Sequence, residues 1–308
     1  MHLNKNIYLS VPVALALSLW GAAAQTPAAK PAAATAPAAS GYVPNAACET
    51  CHAEEFARYQ TAPHAKIPLG AFATGVQPGC QSCHGPGQKH TENPADPATI
   101  FNFRAAKPAA VNAQCLSCHS TSHEQQNFAS SVHVRNGASC TSCHSIHHPK
   151  TVSALLKLPQ PALCYTCHMA RRAEFEMPSH HKVNEGLVQC SDCHNPHGAP
   201  IPHQLRTAAA ADAVCYTCHV DKRGPFVFEH QAVKVNGCMA CHNPHGASSP
   251  HLLKVAEVNI LCLQCHTASS FSGAPGIPNF HNQTTQFQSC LSCHTQIHGS
   301  NFSPFFFF

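Results

Sequence analysis

The chain has 308 residues, of which 20 are Cys, 26 are His, 25 are Pro and one is Trp, while only 10% are charged. Its formal net charge is +4 with no basic run, which excludes a nucleic-acid surface. No long apolar-periodic or alternating stretch supplies the core that a chain of this length could otherwise build.

At the N-terminus, Lys5 precedes an apolar run over residues 7–20, and the small residues Gly21, Ala22, Ala23 and Ala24 follow. This pattern predicts a secretory signal peptide, residues 1–24, rather than an anchor, since a span needs about 20 apolar residues. Residues 25–41 read as an exposed Ala/Pro-rich linker.

From Cys48 onwards one pattern dominates. The sequence C-x-x-C-H occurs ten times and uses all 20 cysteines. Two thiols two residues apart can add to the two vinyl groups of one porphyrin, and the histidine that follows then sits under its iron. A single copy also fits a zinc site or a redox disulfide. Ten copies, each with its histidine, point to ten covalently bound haem c groups.

The motifs fall in five pairs with a period near 50 residues, so the domain, residues 42–301, reads as an array of dihaem repeats. The first, about 48–90, carries Cys48, Cys51, His52 and Cys80, Cys83, His84, with His64 and His90 as further ligands. The second, 115–147, carries Cys115, Cys118, His119 and Cys140, Cys143, His144, with His133 and His147. The third, 164–197, has Cys164, Cys167, His168 and Cys190, Cys193, His194, with His180 and His197. The fourth, 215–245, has Cys215, Cys218, His219 and Cys238, Cys241, His242, with His230 and His245. The fifth, 262–298, has Cys262, Cys265, His266 and Cys290, Cys293, His294, with His281 and His298.

Ten irons and ten spare histidines in register predict bis-histidine coordination throughout. His148 and His181 adjoin His147 and His180, so the choice within each pair stays open. His203 and His251, each in a Pro-His-x-Leu context, read as structural, bonding propionates. Met169, Met177 and Met239 share no register and are set aside. His197 lies three residues after His194, and three residues span at most roughly 10–11 Å. It is therefore expected to serve a neighbouring haem, as are His147 and His245.

Secondary structure is expected to be short helices beside the motifs, with one or two turns at 153–157 and 257–263, irregular chain elsewhere and negligible β. Without haem no folded state is expected. Residues 302–308 form an apolar tail whose four Phe, Phe305 to Phe308, are expected to face a partner.

In residues 190–198 (CSDCHNPHG), 215–225 (CYTCHVDKRGP), 238–246 (CMACHNPHG) and 296–301 (QIHGSN), the chain resembles the MtrA/DmsE family of decahaem periplasmic cytochromes. The resemblance covers nearly all of residues 48–301. It implies an elongated haem wire inserted in an outer-membrane β-barrel porin. Such a wire would be fed by a periplasmic or inner-membrane donor cytochrome. It would discharge to an extracellular multihaem cytochrome or a terminal reductase. From the residues alone, a free periplasmic electron shuttle stays open. A multihaem oxidoreductase is disfavoured, since an enzyme needs an iron with an open position and every motif has a candidate second histidine.

Overall fold

The computed structural model describes residues 41–67, 78–207, 211–266 and 289–307. The predicted signal peptide, the linker up to residue 40, His281 and Phe308 lie outside the described residues.

Each motif forms one helical turn. In eight of them the histidine amide donates to the carbonyl of the first cysteine at 2.9–3.0 Å, as His168 does to Cys164 and His194 to Cys190. The other two lie in the helices Cys80–His84 and Pro108–His119. One turn sets positions i, i+3 and i+4 on a common face, so both thiols and the histidine point the same way.

The longest described helix, Pro108–His119, has 12 residues. Pro108 opens it, where a missing N–H costs nothing, and the motif closes it. The next, Ala53–Thr61, has nine residues. Between helices the chain is turns and single-pair bridges, and among the described residues no strand forms. The segment 257–263 is helical from Val258 to Leu263. The segment 153–157 is not helical. It is a tight turn in which Leu155 takes φ +52°, closing a bridge between His144 and Leu156.

A polar side chain just ahead of the first motif of a repeat reaches the start of the second motif. Asn112 accepts from the Cys140 N–H at 2.9 Å, Gln160 from Ser191 at 3.1 Å and Asp212 from Cys238 at 3.1 Å. These contacts satisfy donors that a short helix leaves open. Neighbouring repeats touch through the turns that follow the second motif. Gly246, directly after His245, lies against the Glu174 carbonyl of the preceding repeat, where a Cβ would collide. Ser179 and Ala247 exchange two backbone hydrogen bonds at the same junction, at 3.1 and 2.8 Å.

Very little of this is a hydrophobic core. The buried apolar residues among those described are Ala62, Val111, Phe128, Phe175, Val183, Leu205 and Ala247. No described helix is long and apolar enough to cross a membrane.

Candidate metal centres

The histidines after the motifs face other histidines at a nearly constant spacing. Ring centres are 6.4 Å apart for His52 and His90, 6.1 Å for His64 and His119, and 6.3 Å for His84 and His147. They are 6.0 Å apart for His133 and His168, 5.9 Å for His144 and His197, and 6.2 Å for His181 and His219. They are 6.1 Å for His194 and His245, 6.2 Å for His230 and His266, and 6.1 Å for His242 and His298. Two imidazoles bound to one metal at about 2.0–2.1 Å each hold their ring centres roughly 6 Å apart. The donor set thus fits an iron between each pair, and the spacing is too wide for ring stacking or a hydrogen bond.

The pairs follow a rule. His64, His133, His181 and His230, the histidines between two motifs, reach forward to the first motif of the next repeat. His147, His197, His245 and His298, those after the second motif, reach back to the second motif of the previous repeat. Each junction is therefore crossed by two histidines in opposite directions. In the repeat that begins at Cys48, His90 instead turns inward to His52 of its own repeat. The gap of six residues between His84 and His90 goes with this inward turn and departs from the gaps of three or four in the other repeats.

One histidine differs from the register. The structure brings His181, not His180, to His219. His181 Nδ1 lies 2.6 Å from the Pro244 carbonyl. His180 instead meets Glu185 at 3.0 Å and the Met177 carbonyl at 2.5 Å. Glu185, and after it that carbonyl, raise its pKa above the ordinary histidine value. At the other adjacent pair, His147 is the residue that faces a motif histidine. His294 meets Phe307 at 4.9 Å, and its candidate partner His281 lies outside the described residues.

Second-motif histidines are held by a device the sequence did not advertise. Nδ1 of His144 donates to the Ala154 carbonyl at 2.7 Å, His194 to His203 at 2.8 Å, His242 to His251 at 2.8 Å and His294 to Phe305 at 2.5 Å. The residue after each accepting carbonyl has positive φ: Leu155, Gln204, Leu252 and Phe306. Engaging Nδ1 fixes the tautomer, leaving Nε2 as the metal-binding nitrogen. His203 and His251 thus act through their backbone.

The Phe-rich tail is the fourth copy of this turn. Phe305 supplies the carbonyl, and Phe306 accepts from the Gln296 N–H at 2.9 Å and packs on His230 at 5.4 Å. Phe307 covers His294. Phe306 and Phe307 thus pack on histidines of the chain itself, while Phe302 is 86% and Phe305 49% exposed.

In every repeat the first thiols of the two motifs lie within hydrogen-bonding reach: Cys48 with Cys80, Cys115 with Cys140, Cys164 with Cys190, Cys215 with Cys238, and Cys262 with Cys290. Between repeats, Cys83 lies near Cys118, Cys143 near Cys164, Cys193 near Cys215 and Cys241 near Cys265. Successive motifs are thus neighbours in space from the first to the tenth.

Burial lowers the pKa of His64, His84, His147, His168, His197, His230, His245 and His298 below the usual 6.5. They stay neutral, as metal ligands must. A depressed folded value means that the unfolded chain binds more protons just below pH 6.5, so stability falls as the pH drops there. Holoprotein titrated from pH 7 downwards is expected to lose thermal stability progressively below about pH 6.5, as histidines released on unfolding take up protons. Stability that held level or rose on acidification would contradict the burial of these rings.

Residues 180–224 and 230–271 match the doubled CXXCH motif family, and residues 80–159 match the NrfB-like c-type cytochrome family. A curated relative, the multiheme cytochrome MtrA of Shewanella baltica (strain OS185), is 34% identical over 230 residues, covering 72% of this chain and 68% of that one. Among solved structures, an undecahaem cytochrome from the S-layer of Carboxydothermus ferrireducens aligns at 19% identity with a TM-score of 0.15. That alignment covers 75% of this chain and 33% of the other, and at such a score it carries no argument.

Proposed function

The chain belongs to the MtrA family of multihaem c-type cytochromes, and on that premise we propose that it conducts electrons along ten haems in chain order. It would do so in the periplasm, inside an outer-membrane β-barrel porin, between a donor cytochrome and an acceptor outside the cell. The observation that carries the reading is the series of facing histidines that crosses every junction between repeats, together with the closeness of each motif to the next.

Bound between these histidines, haem c supplies one-electron iron chemistry. The protein's part is positional. At the nine centres whose two histidines are described, a bis-histidine iron would leave no position for a substrate, which supports a conductor over an oxidoreductase. Fixed Nδ1 contacts hold the rings in place whichever charge state lies between them, and crossed ligands keep neighbouring centres close.

Ring planes supply a test. Four second-motif pairs, those of His84, His144, His194 and His242, lie at 14–39°, whereas the pairs of His119, His168 and His219 cross at 65–82°. Crossed imidazole planes leave the iron's two π-symmetry orbitals nearly level and give a strongly anisotropic low-spin resonance. The expected mass corresponds to ten haems. His181→Ala should convert one crossed-plane centre to high spin, and His180→Ala should convert none. The reverse result, or a wild type with a substantial high-spin fraction, would reject this assignment of ligands.

A further inference from the structure

The facing histidines differ in what their outer nitrogen meets. His133 Nδ1 lies 2.9 Å from the Pro196 carbonyl and His181 Nδ1 lies 2.6 Å from that of Pro244. His90 Nδ1 is 3.3 Å from the Thr99 hydroxyl, and Nδ1 of His64 and of His197 is buried without a partner. His245 is different again. Its Nδ1 lies 2.9 Å from a carboxylate oxygen of Glu174, in the preceding repeat. Neither side chain is well hydrated, at 25% exposure for His245 and 19% for Glu174. The buried Phe175 ring covers His245 at 5.2 Å.

One cation shares the site. Arg171 Nη1 donates to both Glu174 oxygens at 2.5 and 2.6 Å, and stands 3.3 Å from His245 Nδ1. With Nε2 taken by iron, Nδ1 carries the proton, so Arg171 and His245 are two donors converging on one carboxylate.

A ligating histidine that donates to a carboxylate becomes a stronger base toward its metal. A full negative charge does this more strongly than the neutral carbonyls at His133 and His181. A stronger donor favours the ferric over the ferrous state. We propose that Glu174, acting through His245, holds down the reduction potential of the haem attached at Cys190 and Cys193, setting a low-potential step inside the series. The step rests on the bis-histidine reading above. Reduction adds one electron to the ferric iron, no bond is made or broken, and the Nδ1 proton remains on His245. Arg171 moderates the effect by drawing on the same carboxylate.

Glu174 is a positioning and tuning residue, and its charge separates the two roles. Holoprotein carrying Glu174→Gln, Arg171→Gln or Glu174→Asp is titrated potentiometrically and counted by low-spin resonance. With Glu174→Gln, one electron equivalent should move upward by at least tenfold in its redox equilibrium, about 59 mV for one electron, with every low-spin centre retained. Arg171→Gln should move the same equivalent downward, and Glu174→Asp should fall between Gln and wild type. Unchanged curves, a shift spread over all equivalents, both Gln variants moving the same way, or a lost low-spin centre would overturn the inference. A wild type lacking a low-spin centre at Cys190 and Cys193 would instead overturn the ligand assignment, and the inference with it.

Discussion

A chain produced without haem attachment shows no cooperative thermal transition and is digested by a protease that leaves the holoprotein whole. Seven buried apolar side chains, two of them alanines, are all the hydrophobic core among the described residues. Fixing each backbone residue costs about 1–2 kcal/mol, and helices of four to twelve residues are too short to persist by themselves. What is left to bury is the porphyrin surface, so binding the cofactor and folding are one event. Circular dichroism of the haem-free chain tests this, and a sharp melting transition in that form would show that the polypeptide carries a core of its own.

Liposomes loaded with an electron-accepting dye are expected to exchange electrons with an external reductant when this cytochrome and the β-barrel porin proposed as its sheath are both present, and not when either is omitted. A bilayer with its headgroups is about 40–45 Å thick. The described chain offers no helix long enough to cross it, and irregular backbone exposed to hydrocarbon costs several kcal/mol per unsatisfied group. Ten centres in series could cover the distance only inside a polar sheath. Equal transfer by the cytochrome alone, or none by the pair, would move the reading to a free shuttle.

The array and its secondary structure were legible because the motif declares itself. C-x-x-C-H at a fixed period announces one helical turn per copy and a chain too poor in apolar patterning for anything larger. The choice between His180 and His181 was not legible. Adjacent residues share a register, and the decision falls to the Pro244 carbonyl, which belongs to the next repeat. The carbonyl turns were hidden for a different reason. Left-handed backbone is usually marked by glycine, yet here Leu155, Gln204, Leu252 and Phe306 adopt it. For that reason residues 153–157 read as a helical turn, and the carbonyl turn inside the Phe-rich tail went unseen. The carboxylate on His245 was equally invisible, because Glu174 lies 71 residues away in sequence.

The two-way crossing at each junction has a consequence for biogenesis. Repeats three and four are tied by His181 reaching forward and by His245 reaching back. If maturation skips the centre at Cys190 and Cys193, the second tie is lost while the first still holds, so the molecule's two repeats stay joined. Its current, however, stops. A checkpoint that inspects folding would pass such a molecule, whereas one that inspects throughput would reject it. The double stitch that makes the array robust also conceals its most damaging defect, and completeness must be enforced when the haems are attached.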